Sequence, residues 1–195
     1  MGPGHADQLV PLNAIFGEVY RATRPARLAL LGCATGNGLE HVDPAITRRA
    51  IAIDINPEYA ALARGRHRSL GETLEVWCAD VCLCDLPVAT FDLVYAALVF
   101  EHVDVVELAS RIATWLAPEG TCAVILQVEA STTALVTPSP YRSIGSLGAT
   151  MHLVTPEQIT GLLGQHGLRQ SRCWNVPLKG GKHFAVCLFQ RWSDH

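Results

Sequence analysis

The sequence predicts an α/β domain built on a mostly parallel, doubly wound sheet, and three observations predict it. Short, continuous apolar runs recur at Arg27–Leu31, Ala50–Ile55, Leu74–Cys78 and Phe91–Tyr95. Segments of helical spacing fall between them, and the first run ends in a glycine-rich turn. Strands buried on both faces read as unbroken apolar runs, and the right-handed crossovers between them return each strand to the same sheet.

Taken in order, residues 13–24 carry Ile15, Phe16, Val19 and Tyr20 at helical spacing and stop at Pro25, which predicts an N-terminal helix. The first strand, Arg27–Leu31, closes at Gly32, and a helix is expected around Gly38–Val42. After the second strand, Pro57 opens a helix over Glu58–Arg64, because proline suits the first helical position. The third and fourth strands follow. Val106, Ile112, Trp115 and Leu116 then mark a helix over Val103–Leu116, Pro118-Glu119-Gly120 turns the chain, and Thr121–Val128 is the fifth strand.

Residues 129–150 are rich in Ser, Thr, Pro and Gly and exceed the length a connection needs, so they are read as a substrate lid. Pro156–His166 is a helix stopped by Gly167, and Arg172–Val176 with His183–Trp192 form a terminal hairpin. The sum is a Rossmann-like sheet of about seven strands with an antiparallel C-terminal strand. All 195 residues are read as one domain.

Composition narrows the function. Hydrophobic residues make up 49% of the chain and charged residues 17%, which fits a folded globular domain and excludes a disordered or fibrous one. A net charge of -3 gives no positive field for a phosphate backbone, so nucleic acid is not an expected partner. The basic run Arg64, Arg66, His67 and Arg68 is assigned to the negative end of the preceding helix. No stretch reaches the roughly 20 apolar residues of a membrane span and no signal pattern opens the chain, so a soluble cytoplasmic protein is expected. The seven cysteines, odd in number and mostly within apolar runs, are read as reduced, buried thiols. Cys82 and Cys84 lack a second pair at zinc-site spacing, and no metal is expected.

In such sheets ligands collect beyond the carboxyl ends of the strands, at Gly32, Asp54, Asp80 and Ala96. Leu28–Gly38 reads LALLGCATGNG, a strand followed by a turn small enough for close backbone approach. Asp54 ends the second strand about 20 residues later, where a carboxylate accepts both hydrogen bonds of a ribose diol or else caps the helix at Pro57.

These segments, with Cys78-Ala79-Asp80-Val81 and Phe91-Asp92-Leu93-Val94 running on to Glu101-His102-Val103, resemble the class I S-adenosylmethionine-dependent methyltransferases from about Arg27 to Leu126. The resemblance implies S-adenosylmethionine as cofactor and methyl transfer as the reaction, and the small size, with little room for a separate recognition domain, favours a small-molecule acceptor. It places Gly32, Cys33 and Ala34 against the methionine part, Asp54 on the ribose hydroxyls and Ile55 beside the adenine. Asp80 would accept the adenine amino group, Val81 would supply a backbone donor, and Ala96 and Ala97 would face the amino-acid end. Tyr20 would either close over that end or simply pack.

The chain departs from the family at Leu30, where an acidic residue usually contacts the cofactor's amino-acid end, and at Ala34, which replaces a glycine and preserves the turn if its φ stays negative. Proximity and in-line alignment supply much of the expected acceleration. Glu101 and His102 are the base candidates by position, with His102 read in preference as a surface or capping residue of the helix over Val103–Leu116. His152, Tyr141 and Arg142 are candidate acceptor-facing groups.

A non-catalytic methyltransferase-like binding protein or subunit is the main alternative, supported by Leu30. A nicotinamide dehydrogenase would share the turn and Asp54 but gives no reason for Asp80. A thiol enzyme acting on a metalloid through Cys82 and Cys84 is a further reading. A homo-oligomer stays open.

Overall fold

Seven strands form one sheet in the order β3-β2-β1-β4-β5-β7-β6. The structure, a computed structural model, describes residues 3–129 and 154–191. The strands are β1 (Arg27–Leu31), β2 (Arg49–Asp54), β3 (Leu74–Cys78), β4 (Phe91–Ala97), β5 (Leu116–Glu129), β6 (Leu168–Pro177) and β7 (Lys182–Arg191). Neighbours from β3 through β5 pair in parallel, while β7 runs antiparallel to both β5 and β6. The strand order reverses at β1 and β4, which opens a crevice at their carboxyl ends.

Helices cover both faces. Period-two alternation sends Leu28, Leu30, Leu93 and Tyr95 to one face, where α1 (Pro3–Thr23) and α2 (Pro57–Arg66) pack. It sends Ala29, Leu31, Val94 and Ala96 to the other, beneath α3 (Val105–Trp115) and α4 (Pro156–Gln165). Each of the last three helices starts on a side-chain cap. Asn56 accepts from the Glu58 and Tyr59 N–H groups, Asp104 from Val106 and Glu107, and Thr155 from Gln158. Pro57 and Pro156 sit just inside their caps, where the missing N–H costs nothing.

Several elements differ from the expectation. The N-terminal helix begins at Pro3 and carries Pro11 inside it, so proline is not the boundary that its φ restriction suggests. The expected helix at Gly38–Val42 is only a 3₁₀ turn, Leu39–His41. Gly38 at its start is left-handed, and the Glu40 carboxylate takes the Gly38 N–H at 2.8 Å and the Asn13 amide of α1. A side chain of α1 therefore does the work of the missing helical turns. β5 starts at Leu116 rather than Thr121, because Pro118-Glu119-Gly120 forms an irregularity inside the ladder: Phe91 pairs with Leu116 and Leu93 with Thr121. Gly120 is required there, since a Cβ would lie 2.6 Å from the Phe91 carbonyl oxygen. The segment after β4 begins as a 3₁₀ turn, Phe100–His102, before α3.

The cysteine expectation is corrected. Cys173 and Cys187 face one another in register across β6 and β7, with Cα atoms 4.2 Å apart, and form a disulfide. Cys78 is exposed at the end of edge strand β3, whereas Cys33, Cys84 and Cys122 are buried as expected. The basic run serves the fold: Arg64 donates to the Val76 carbonyl of β3 through two nitrogens, and Arg66 donates to the Thr35 hydroxyl at 2.6 Å. No described helix is long and apolar enough to cross a membrane. The expected lid at 129–150, including Tyr141 and Arg142, lies outside the described residues apart from Glu129, the last residue of β5, and so does the separate candidate His152.

Tyr20 is buried and seats α1, as the packing reading of that residue holds. Thr47 spends its hydroxyl proton on the Pro25 carbonyl at 2.7 Å, so at 2.8 Å it accepts from Tyr20, whose oxygen accepts the Asp43 N–H at 3.0 Å. Tyr20→Phe should cost about 1–2 kcal/mol, seen as a lower urea midpoint at constant m-value. An unchanged midpoint would mean that burial of the ring alone holds the helix.

Candidate active site

The site is built on four strand tips joined by backbone hydrogen bonds. Beyond β1 the chain turns at Gly32, whose φ is +62° and whose missing Cβ leaves room for Val99: a Cβ there would lie 2.6 Å from the Val99 Cγ2. The turn then leans on β2. Cys33 N–H donates to the Ile53 carbonyl at 2.9 Å, and Ala34 N–H donates to Asp54 Oδ2 at 2.7 Å. Asp54 Oδ1 accepts the Asn56 N–H at 2.9 Å, and its carbonyl accepts the Ala79 N–H beyond β3 at 3.1 Å.

Asp54 thus ties together the ends of β1, β2 and β3 while only 9% exposed. The helix cap that it was weighed against belongs instead to Asn56. Each Asp54 oxygen holds one N–H and retains a second lone pair. Ala34 is left-handed at φ +45°, so the turn forms without the negative φ set as its condition, and the Ala34 N–H meets Asp54. That conformation costs an alanine about 1–2 kcal/mol.

The other predicted positions fall around this tie. Ile55 is 60% exposed, an apolar side chain presented beside Asp54. Asp80, half-buried, accepts the Cys82 N–H at 2.8 Å, and its carbonyl takes the N–H groups of Leu83 and Cys84. Val81 and Ala96 are buried and Ala97 half-buried. Cys33 is buried, and burial, reinforced by the Asp54 charge, pushes its thiol up to about 12, so it stays neutral at physiological pH. Burial likewise pushes Cys82 up to about 11 and raises Cys84. Neither is an activated nucleophile. Among the described residues no group of three His, Cys, Asp or Glu side chains is arranged to hold a metal.

Leu30 is 3% exposed within the apolar cluster under α1. It offers nothing to a ligand. Past β4, Leu98 is left-handed at φ +56°, and its N–H donates to the Ile125 carbonyl. The 3₁₀ turn that follows carries Glu101 inward and leaves His102 exposed, as the surface reading of that histidine holds. Glu101 is 7% exposed; its Oε1 accepts the Gln127 N–H of β5 at 3.3 Å, while Oε2 is buried without a partner. Burial raises its pKa, outweighing the opposing hydrogen bonds and the nearby His102.

The Tyr95 hydroxyl is also buried without a partner, and burial raises its pKa. A cavity of about 560 Å³ opens at the far half of the sheet, lined among others by Gln127, Val154, Thr155, Trp174, Asn175 and His183. Gln127 links it to Glu101.

The sequence reading overlooked two contacts: Val99 against Gly32, and Arg66 on Thr35. A valine three residues past Ala96 carries no motif, and the basic run was legible only as helix-end charge.

Residues 29–124 match the family described as methyltransferase domain. No curated protein sequence matches the chain. The N-methyltransferase NodS from Bradyrhizobium japonicum WM9 has a similar structure: TM-score 0.72 at 14% identity, over 94% of this chain and 96% of that one. So has the Burkholderia thailandensis 1,6-didemethyltoxoflavin-N1-methyltransferase, solved with 1,6-didemethyltoxoflavin and S-adenosylhomocysteine: 0.70 at 21% identity, over 95% and 78%. The [4+2]-cyclase SpnF reaches 0.73 at 15% identity, over 94% and 82%. These similarities show that the chain has a methyltransferase-like Rossmann fold, with residues 29–124 matching a methyltransferase domain.

The buried Glu101 carboxylate makes stability depend on pH. Its folded pKa lies above the ordinary 4.5, so its favourable contribution is present in acid and is lost as pH rises through the folded value. Glu101→Gln, which keeps the shape and cannot ionise, should be more stable than the wild type at pH 7 and equal to it in acid. Urea denaturation at the two pH values reads the difference, and equal stability at both would show that the carboxylate carries no burial cost.

Proposed function

We propose that the protein transfers a methyl group from S-adenosylmethionine to a small-molecule acceptor, with the adenosine lying across the tips of β1 to β3. The observation that carries this reading is Asp54 at the tip of β2, fixed by two N–H groups with acceptor capacity to spare, beside an exposed Ile55 and one strand from Asp80. The residues present suit the cofactor. Asp54 would take the ribose hydroxyls, Ile55 would lie beside the adenine, and Asp80 would accept its amino group with Val81 supplying a backbone donor. Gly32, Cys33 and Ala34 would border the methionine part, with Ala96 and Ala97 facing its amino-acid end.

Bound there, S-adenosylmethionine supplies an electrophilic methyl group on a sulfonium. The chain's own contribution is to align an acceptor with that carbon and exclude water, since an in-line displacement is accelerated mainly by holding the reactants in contact. The cavity beside Gln127 is large enough for a small acceptor. Two similar structures are named as N-methyltransferases, which supports a small nitrogen acceptor here. The buried Leu30 favours a second reading, a binding protein or subunit of this fold that performs no transfer.

Titration calorimetry with S-adenosylhomocysteine and with NAD tests the proposal. Binding of the first alone is expected, and Asp54→Ala should weaken it at least tenfold, about 1.4 kcal/mol. Binding of NAD alone would overturn the methyl-transfer reading, and an unchanged affinity in the variant would remove the ribose assignment. Binding without turnover across a panel of small amines would favour the second reading.

A further inference from the structure

We infer that Glu101 is the counter-ion for the α-ammonium group of the cofactor's amino-acid end, in the place that Leu30 leaves without a carboxylate. The inference rests on the cofactor reading above and names a residue for a contact that the glycine turn lacks. A zwitterionic amino-acid end brings an ammonium into the site, and a buried ammonium needs a carboxylate or several acceptors. Leu30 is packed under α1 and supplies neither. Asp54 has one N–H on each oxygen and is placed on the ribose side.

Glu101 has the required features. It lies in the 3₁₀ turn that starts beside Val99, and Val99 fills the space above Gly32, so this turn sits directly against the turn assigned to the methionine part. One carboxylate oxygen is anchored by the Gln127 N–H, which orients the group. The other is buried with no partner. An unpaired carboxylate oxygen in a site 7% exposed is costly unless something cationic or protic reaches it. His102, next in sequence, points to solvent and leaves that oxygen unpaired. Leu98, at the tip of β4 just before this turn, is left-handed at φ +56°.

The test compares two ligands that share the adenosine and thioether but differ in the amino-acid end: S-adenosylhomocysteine and 5′-methylthioadenosine. Calorimetry on wild type and Glu101→Gln should show S-adenosylhomocysteine weakened about ten- to a hundredfold by the substitution, with 5′-methylthioadenosine unchanged. Gln retains an oxygen for the Gln127 N–H, and a thermal unfolding curve on each protein verifies that the variant is folded. If both ligands weaken equally, Glu101 acts only on the shape of the site and the inference falls; it falls too if neither weakens. Wild type that binds neither ligand would instead overturn the cofactor reading beneath it.

Discussion

The rest of the site depends on a single carboxylate. Asp54 draws the Ala34 N–H from the turn after β1 and the Asn56 N–H from the approach to α2, and so fixes where the ends of β1 and β2 stand relative to each other. Charge-assisted hydrogen bonds of this kind contribute about 1.5–3 kcal/mol each, while a left-handed alanine costs about 1–2, so the two bonds outweigh the strain that they impose. Once Ala34 is held, Cys33 can reach the Ile53 carbonyl, and the turn closes on β2 along its length. The same residue that is proposed to read the ribose is therefore the residue that shapes the loop around it.

The surroundings reinforce that arrangement from three directions. From α1, Asn13 reaches Glu40 and Asn37. From α2, Arg66 grips the Thr35 hydroxyl. From the turn after β4, Val99 sits where Gly32 has no side chain. The far half of the sheet is organised differently. There the β6–β7 hairpin, cross-linked by Cys173 and Cys187, walls the cavity beside Gln127. Glu101 stands between the halves, held to β5 and packed behind the tip of β4. The strand reversal at β1 and β4 lies between these two halves.

Similarity of fold at 14% and 21% identity shows how little of the sequence the architecture consumes. A [4+2]-cyclase shares this fold, so chemistry is settled by the groups set at the strand tips and not by the sheet beneath them.

The sequence by itself determined the sheet and the helices that cover it. Apolar runs, helical spacing and proline-opened helices are local signals, and each of β1 to β4 was legible as an unbroken run. It could not reveal that Ala34 turns left-handed, that Tyr20 is spent on Thr47 and Asp43, or that Cys173 meets Cys187. Each of these depends on residues far apart in the chain that only packing brings together. Glu101 and His102 were indistinguishable as neighbours in sequence. The 3₁₀ turn after β4 separates them, because its tight winding sends one side chain against β5 and the next into solvent.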